Sequence, residues 1–297
     1  MSVLAPARRE SALRRLEVAV CRRLDGILQG DYQGLVPGAG SEAGDGRAYA
    51  WGDDVRRIDW NLTARLGETH VRDTIADREL ETWIVWDGSA SLDFGTALCE
   101  KRDHALAAAA AFGLLTQKGG NRLGAVTTDH RATRVLPARS GRAFALGLLR
   151  ALETGESRDA PPADDLARLI RRANLVSRRR GLIVVVSDFL DRSDWARELR
   201  VAGARHDVIA AHVVDPRELD LPPVGLLTLV DPETGRRREV QTSDRRLRAR
   251  YAAAARVQQE QIHVTVRQAG ATHLVLSTDR DWLPDVVQLV ATRRRRR

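Results

Sequence analysis

The sequence predicts an α/β fold, with a mostly parallel central sheet and helices on both faces. Three observations predict it. Several short segments are apolar throughout, among them TWIVWD at 82–87, GLIVVVS at 181–187 and DVIAAHVV at 207–214. Strands buried on both faces have this pattern, whereas half-exposed strands alternate. Helical stretches separate these segments, as parallel crossover units require. The chain has 297 residues, 43% hydrophobic and 30% charged. That composition builds a sizeable core and excludes a disordered or fibrous chain.

The elements follow in order. Residues 7–28 carry Leu13, Leu16, Val20, Leu24 and Leu28 at helical spacing, which predicts an amphipathic helix. A Gly-rich loop follows at 38–46, then a charge-dense stretch with a short extended piece at Thr69–Ile75. Residues 1–79 therefore read as an N-terminal helix and a small extended segment. The α/β domain spans 80–292. Its first strand leads into a helix over Ala97–Gln117, whose apolar part, Ala105–Leu115, is too short to cross a bilayer and suits a buried helix.

Segments 121–129 and 132–138 read as two strands joined at Asp129-His130. Phe144–Leu152 and Asp164–Ser177 read as helices. The strand 181–187, a helix over Asp194–Val201 and the strand 207–214 come next. Residues 225–241 break the alternation, with two extended runs around Pro232-Glu233-Thr234-Gly235, and read as a hairpin insertion. A long helix over 244–268, a strand at 272–278 and a helix at 281–293 complete the domain.

Net charge is +8, but five of the positive charges are Arg293–Arg297, which read as a disordered tail. The remaining +3 is no field for nucleic acid. Only Lys101 and Lys118 are lysines, so arginine replaces lysine almost everywhere, a bias of genome composition. The two cysteines, Cys21 and Cys99, form no paired motif, which argues against a disulfide scaffold or zinc site and makes the cytoplasm the expected compartment. The seven histidines are scattered. Cys99 and His104 do not by spacing alone make a catalytic pair. No GxSxG nucleophile motif and no P-loop occur.

One motif carries chemistry. The strand 82–87 ends in Asp87-Gly88-Ser89-Ala90-Ser91, and the strand 181–187 ends in Asp188. Ligands of doubly wound sheets bind outside the carboxyl ends of the strands. A carboxylate and two hydroxyls are hard donors suited to Mg²⁺ or Mn²⁺. Taken alone, the run also reads as a turn with capping hydroxyls.

The DxSxS run followed by Asp188 resembles the metal-ion-dependent adhesion site of von Willebrand factor A domains. A second match narrows this. Tyr49-Ala50-Trp51-Gly52-Asp53-Asp54-Val55-Arg56-Arg57-Ile58-Asp59-Trp60, continuing to Arg65, is similar to the signature of the bacterial DUF58 family, with Phe94-Gly95 and the SDFLD run at 187–191 at matching spacing. The resemblance covers roughly residues 30–215. It implies a Rossmann-like domain of von Willebrand A type and a non-enzymatic, divalent-cation-dependent protein-interaction module. It implies Mg²⁺ or Mn²⁺ held by Asp87, Ser89, Ser91 and Asp188. It also implies a MoxR-type AAA+ ATPase as partner, with the protein acting as adaptor or co-chaperone for a client complex.

The family's threonine ligand is missing from the 160–166 loop, where Asp164 stands in its place. Asp164 is therefore either a third carboxylate on the ion or the N-cap of the following helix. Asp53, Asp54, Arg56, Trp60 and Arg65 form either a structural ion network or a docking surface for the ATPase. Two other functions remain open: a Mg²⁺-dependent phosphatase-like enzyme, and an Arg-rich nucleic-acid-binding protein acting through 293–297.

Overall fold

Six strands form one sheet in the computed structural model of the protein, which describes residues 46–50, 55, 58–72, 81–118, 121–128, 132–154, 164–232 and 234–295. They are β3 (Glu81–Trp86), β4 (Arg122–Thr128), β5 (Thr133–Arg139), β6 (Leu182–Ser187), β7 (Asp207–Val214) and β10 (Thr272–Ser277). Their spatial order is β10-β7-β6-β3-β4-β5. All neighbours are parallel except β4 and β5, which pair antiparallel. Counted within the sheet, this is the order 3-2-1-4-5-6, whose switch point lies between β3 and β6. These two strands pair from Thr82↔Leu182 to Trp86↔Val186.

The alternation of side chains along each strand splits the core in two. Ile84, Trp86, Val184 and Val186 face a layer that includes Ala105–Ala111 and Phe112 of α2 (Lys101–Lys118), Leu148 of α3 (Arg142–Thr154) and Val286 of α8 (Leu283–Arg295). Trp83, Val85, Ile183 and Val185 face Leu169 of α4 (Leu166–Val176), Leu199 of α5 (Trp195–Arg205) and Ile262 of α7 (Arg245–Gln268). The apolar stretch 105–115 is buried along its length, because α2 packs against the sheet within this layer.

Three short elements were not foreseen. β1 (Gly46–Ala48) pairs antiparallel with β2 (His70–Arg72), which lies in the extended piece expected at 69–75. α1 (Trp60–Leu66) lies between them, capped by Asp59 and stopped by Gly67 at φ 73°. α6 (Pro216–Leu219) follows β7 with a capping box between Asp215 and Glu218. The expected hairpin is present as β8 (Leu226–Val230) and β9 (Arg237–Gln241), a two-stranded sheet of its own. The basic tail departs from expectation: α8 continues through Arg295, so three of the five terminal arginines belong to a helix. The helix expected at 7–28 lies outside the described residues.

Candidate functional site

At the switch point the backbone of Asp87 extends the β3–β6 pairing, with Asp87 N donating to Val186 O at 3.1 Å. This sets the Asp87 carboxylate beside Ser187. The Ser187 hydroxyl donates to Asp87 Oδ2 at 2.5 Å and accepts from Phe189 N at 2.8 Å. Asp87 Oδ1 accepts from Ser89 N at 3.0 Å. A short 3₁₀ turn, Ala90–Asp93, then brings Ser91 back, so that the Ser89 and Ser91 hydroxyls lie 2.9 Å apart. Burial, reinforced by Asp188, pushes the Asp87 carboxyl up to about 7.

Asp188 lies behind this group and is 2% exposed. Its Oδ1 accepts from Leu190 N at 3.1 Å, and its Oδ2 from Lys101 Nζ at 2.7 Å. Phe189 has φ 56°, an uncommon conformation for a side chain of its size. It is held by edge contacts to Trp195, with centroids 5.0 Å apart, and to His212, 5.6 Å. The strained turn fixes where Asp188 emerges. Lys101 also reaches Glu218 Oε1 at 2.5 Å. Burial pulls the ammonium down, but Asp188 and Glu218 outweigh it and hold it above the usual lysine range.

The loop 94–100, between the 3₁₀ turn and α2, is pinned by Asp215. Its carboxylate accepts from Thr96 N at 2.8 Å, Thr96 Oγ1 at 2.6 Å and Thr278 Oγ1 at 2.7 Å. Gly95 makes this loop possible, because a Cβ there would lie 2.4 Å from Cys99 O. Phe94, Leu98 and Leu190 are exposed apolar side chains on the loops bearing the site.

Of the residues expected to hold a metal, Asp87, Ser89, Ser91 and Asp188 are brought together. Asp164 is not. Among the described residues no three His, Cys, Asp or Glu side chains are grouped to hold a metal ion. Asp164 instead accepts from Thr133 Oγ1 and from Arg168 Nη1 at 2.8 Å, and these bonds hold its carboxyl below the usual range. The N-cap of α4 is Asp165, whose side chain accepts from Arg168 N at 2.9 Å. The N-cap expectation for Asp164 therefore does not hold, since Asp165 caps the helix, and the Asp164 carboxylate is bonded to Thr133 and Arg168. Trp60 is 70% exposed on α1, and Arg65 is exposed in its last turn. Asp53, Asp54 and Arg56 lie outside the described residues.

The chemistry fits a hard divalent ion. The donors are a carboxylate and two adjacent hydroxyls, and burial together with the neighbouring Asp188 raises the carboxyl, a penalty that a bound cation would relieve. Asp87, Ser89 and Ser91 would hold Mg²⁺ or Mn²⁺, with Asp188 behind them. Such an ion would supply positive charge to which an anionic group can bind.

Sequence reasoning missed Lys101, Ser187 and Glu218. Lys101 had one signal, its rarity in a chain that otherwise uses arginine. It also missed two histidine arrangements. His212 Nδ1 lies 3.2 Å from His273 Nε2, and His273 Nδ1 lies 2.9 Å from His263 Nδ1. His104 Nδ1 lies 2.9 Å from Cys99 Sγ, and His104 Nε2 lies 3.0 Å from Arg280 O. The second pair is no activated nucleophile. Burial and the acidic neighbours Asp103, Asp215 and Glu100 push the thiol up to about 11, away from the thiolate.

The strand order, the antiparallel edge strand and the DxSxS turn at the switch point define an α/β domain of von Willebrand factor A type. The chain belongs to the DUF58 family: the family described as "Protein of unknown function DUF58" matches residues 45–261. It is 51% identical over 285 residues to "Uncharacterized protein Rv1480" of Mycobacterium tuberculosis, covering 96% of this chain and 90% of that one. The same values hold for "Uncharacterized protein Mb1516" of Mycobacterium bovis. Similar solved structures include BatB from Bacteroides thetaiotaomicron, at TM-score 0.46 and 14% identity over 73% of this chain and 99% of that one. Another is the SpRpn10 VWA domain, at TM-score 0.40 and 13% identity over 71% of this chain and 94% of that one. Among the described residues no helix is long and apolar enough to cross a membrane.

Proposed function

We propose that this protein is a non-enzymatic, divalent-cation-dependent interaction module that serves a MoxR-type AAA+ ATPase as adaptor or co-chaperone for a client complex. One observation carries the metal reading: the buried Asp87 carboxylate and the Ser89 and Ser91 hydroxyls at the β3–β6 switch point. The exposed Phe94, Leu98 and Leu190 around it support a protein rather than a small molecule as the bound partner. Trp60, at 70% exposure, and Arg65 offer a second surface on α1 for the ATPase, and Asp53, Asp54 and Arg56 belong to the same sequence signature. The ATPase itself enters from the family resemblance.

The test is thermal unfolding in EDTA, Mg²⁺ and Mn²⁺, for the wild type and Asp87→Ala. A ligand at a hundredfold excess over its Kd stabilises the folded state by about 2.7 kcal/mol. An upward shift in the wild type, absent in the variant, supports the reading, and metal-dependent capture of the ATPase extends it. No shift at millimolar metal would overturn it. Metal-dependent phosphatase turnover lost in Asp87→Ala would replace it with an enzyme.

A further inference from the structure

Lys101 is one of two lysines among the 48 basic residues of the chain, and its side chain is 0% exposed. It projects from the first turn of α2 between carboxylates from two other elements, Asp188 after β6 at 2.7 Å and Glu218 on α6 at 2.5 Å. A compact ammonium with three donors suits such a bridge, where a planar guanidinium would not fit both partners as a point charge. The two carboxylates of the switch point are thus treated differently. Both oxygens of Asp188 have donors, one of them cationic. Asp87 receives hydrogen bonds from Ser187 and Ser89, none of them cationic.

We propose that Lys101 is a tethered cation that sets the affinity of this site for divalent ions. It holds Asp188 in place and cancels its charge, so that Mg²⁺ or Mn²⁺ binds weakly and exchanges. The inference rests on Asp87, Ser89 and Ser91 as the metal-holding group. Two effects act in the same direction. The ammonium repels a second cation nearby, and it neutralises a carboxylate that would otherwise attract one. Charge count in the ligand shell is a main control of divalent-ion affinity. The same bridge keeps the loops in place without the ion, so the fold does not depend on metal.

The test is calorimetric titration of the full chain with Mn²⁺, together with unfolding midpoints in EDTA and in Mn²⁺. The variants are Lys101→Met and Lys101→Met/Glu218→Gln. The second removes one charge of each sign, which protects folding. Both should bind Mn²⁺ about tenfold more tightly than the wild type, or better. Lys101→Met should also become dependent on Mn²⁺ for its midpoint. Unchanged or weaker binding in both variants would overturn the proposal. So would failure of both to fold even with saturating Mn²⁺, since Lys101 would then be a tie that no metal replaces. If the wild type binds Mn²⁺ through Asp87 and the lysine variants match it, this inference alone fails. If none of the three binds Mn²⁺, the metal reading fails with it.

Discussion

At the carboxyl ends of β3 and β6, burial pushes the Asp87 carboxyl up to about 7, whereas next to Asp188 on β7 and β10 it pushes His212 down to about 3 and His273 down to about 4. The strands are neighbours, and Ser187 pairs with His212 in the sheet register. Both clusters lose charge for the same reason, desolvation, which disfavours the ionised form of either kind of group. They differ in what satisfies them. Imidazole nitrogens can pair with one another, and His212, His273 and His263 form such a chain. Carboxylates cannot. The acidic cluster needs a cation, and Lys101 supplies one for Asp188 and Glu218 but none for Asp87. The histidine cluster is closed, whereas the acidic cluster sets one ammonium against three carboxyl groups and leaves Asp87 without a cation of its own.

The comparison is broken most severely by removing the one cation present. Lys101→Met leaves the buried Asp188, and the partly exposed Glu218, without a counter-charge. Removing one partner of a buried pair costs about 3–5 kcal/mol, and urea unfolding in EDTA should register a loss of that order. A loss under 1 kcal/mol would mean that water already reaches the pair.

The second break is Asp87→Asn, which removes the uncompensated charge while keeping the shape. The Asp87 carboxyl sits at about 7 in the folded state against 3.8 when unfolded. The folded state therefore holds the proton more tightly, and this group lowers stability as pH rises from about 4 to about 7. In EDTA at pH 8 the asparagine variant should be more stable than the wild type by about 1–3 kcal/mol, and it should lose the Mn²⁺-induced shift. A variant less stable than the wild type under those conditions would show that Asp87 contributes more through its hydrogen bonds than it costs through its charge.

The histidines give the opposite slope. His212 and His273 sit near 3 and 4 when folded and at 6.5 when unfolded. The unfolded chain takes up protons first, so their contribution is full above 6.5 and is lost as pH falls below it, by about 1.4 kcal/mol per pH unit for each group. In His212→Phe the loss between pH 6.5 and 4.5 should shrink by one proton's worth. Unfolding at several pH values in the Asp87→Asn background isolates this slope from the carboxylate's.

The acidic cluster was half legible in the sequence, and the histidine cluster was not legible. Asp87 and Asp188 end uniformly apolar strands, and the strand-end rule for doubly wound sheets places them without any contact information. Lys101 meets Asp188 across 87 residues and Glu218 across 117, by backbone turns that no local pattern encodes. His212 and His273 meet because β7 and β10 are parallel neighbours, a pairing that follows from sheet order alone. α1 was hidden for a local reason. WNLTARL contains Trp60, Asn61 and Thr63, weak helix formers, and the helix is defined by its ends, Asp59 and Gly67.

Asp164 supplies the smallest effect and the sharpest boundary for the acidic cluster. By sequence it occupied the missing threonine ligand's place. In the fold its carboxylate is spent on Thr133 and on the exposed Arg168. Exposed pairs of this kind contribute little, so Asp164→Ala should lower stability by about 0.5–1 kcal/mol. Its effect on Mn²⁺ affinity discriminates more. A third carboxylate on the ion would make its loss weaken binding severalfold, as loss of Asp87 should. A carboxylate held two strands away, across β4 at the edge strand β5, should leave the titration unchanged. Parallel titrations of Asp164→Ala and Asp87→Ala then fix whether the charge deficit belongs to Asp87 and its two serines or to a wider shell.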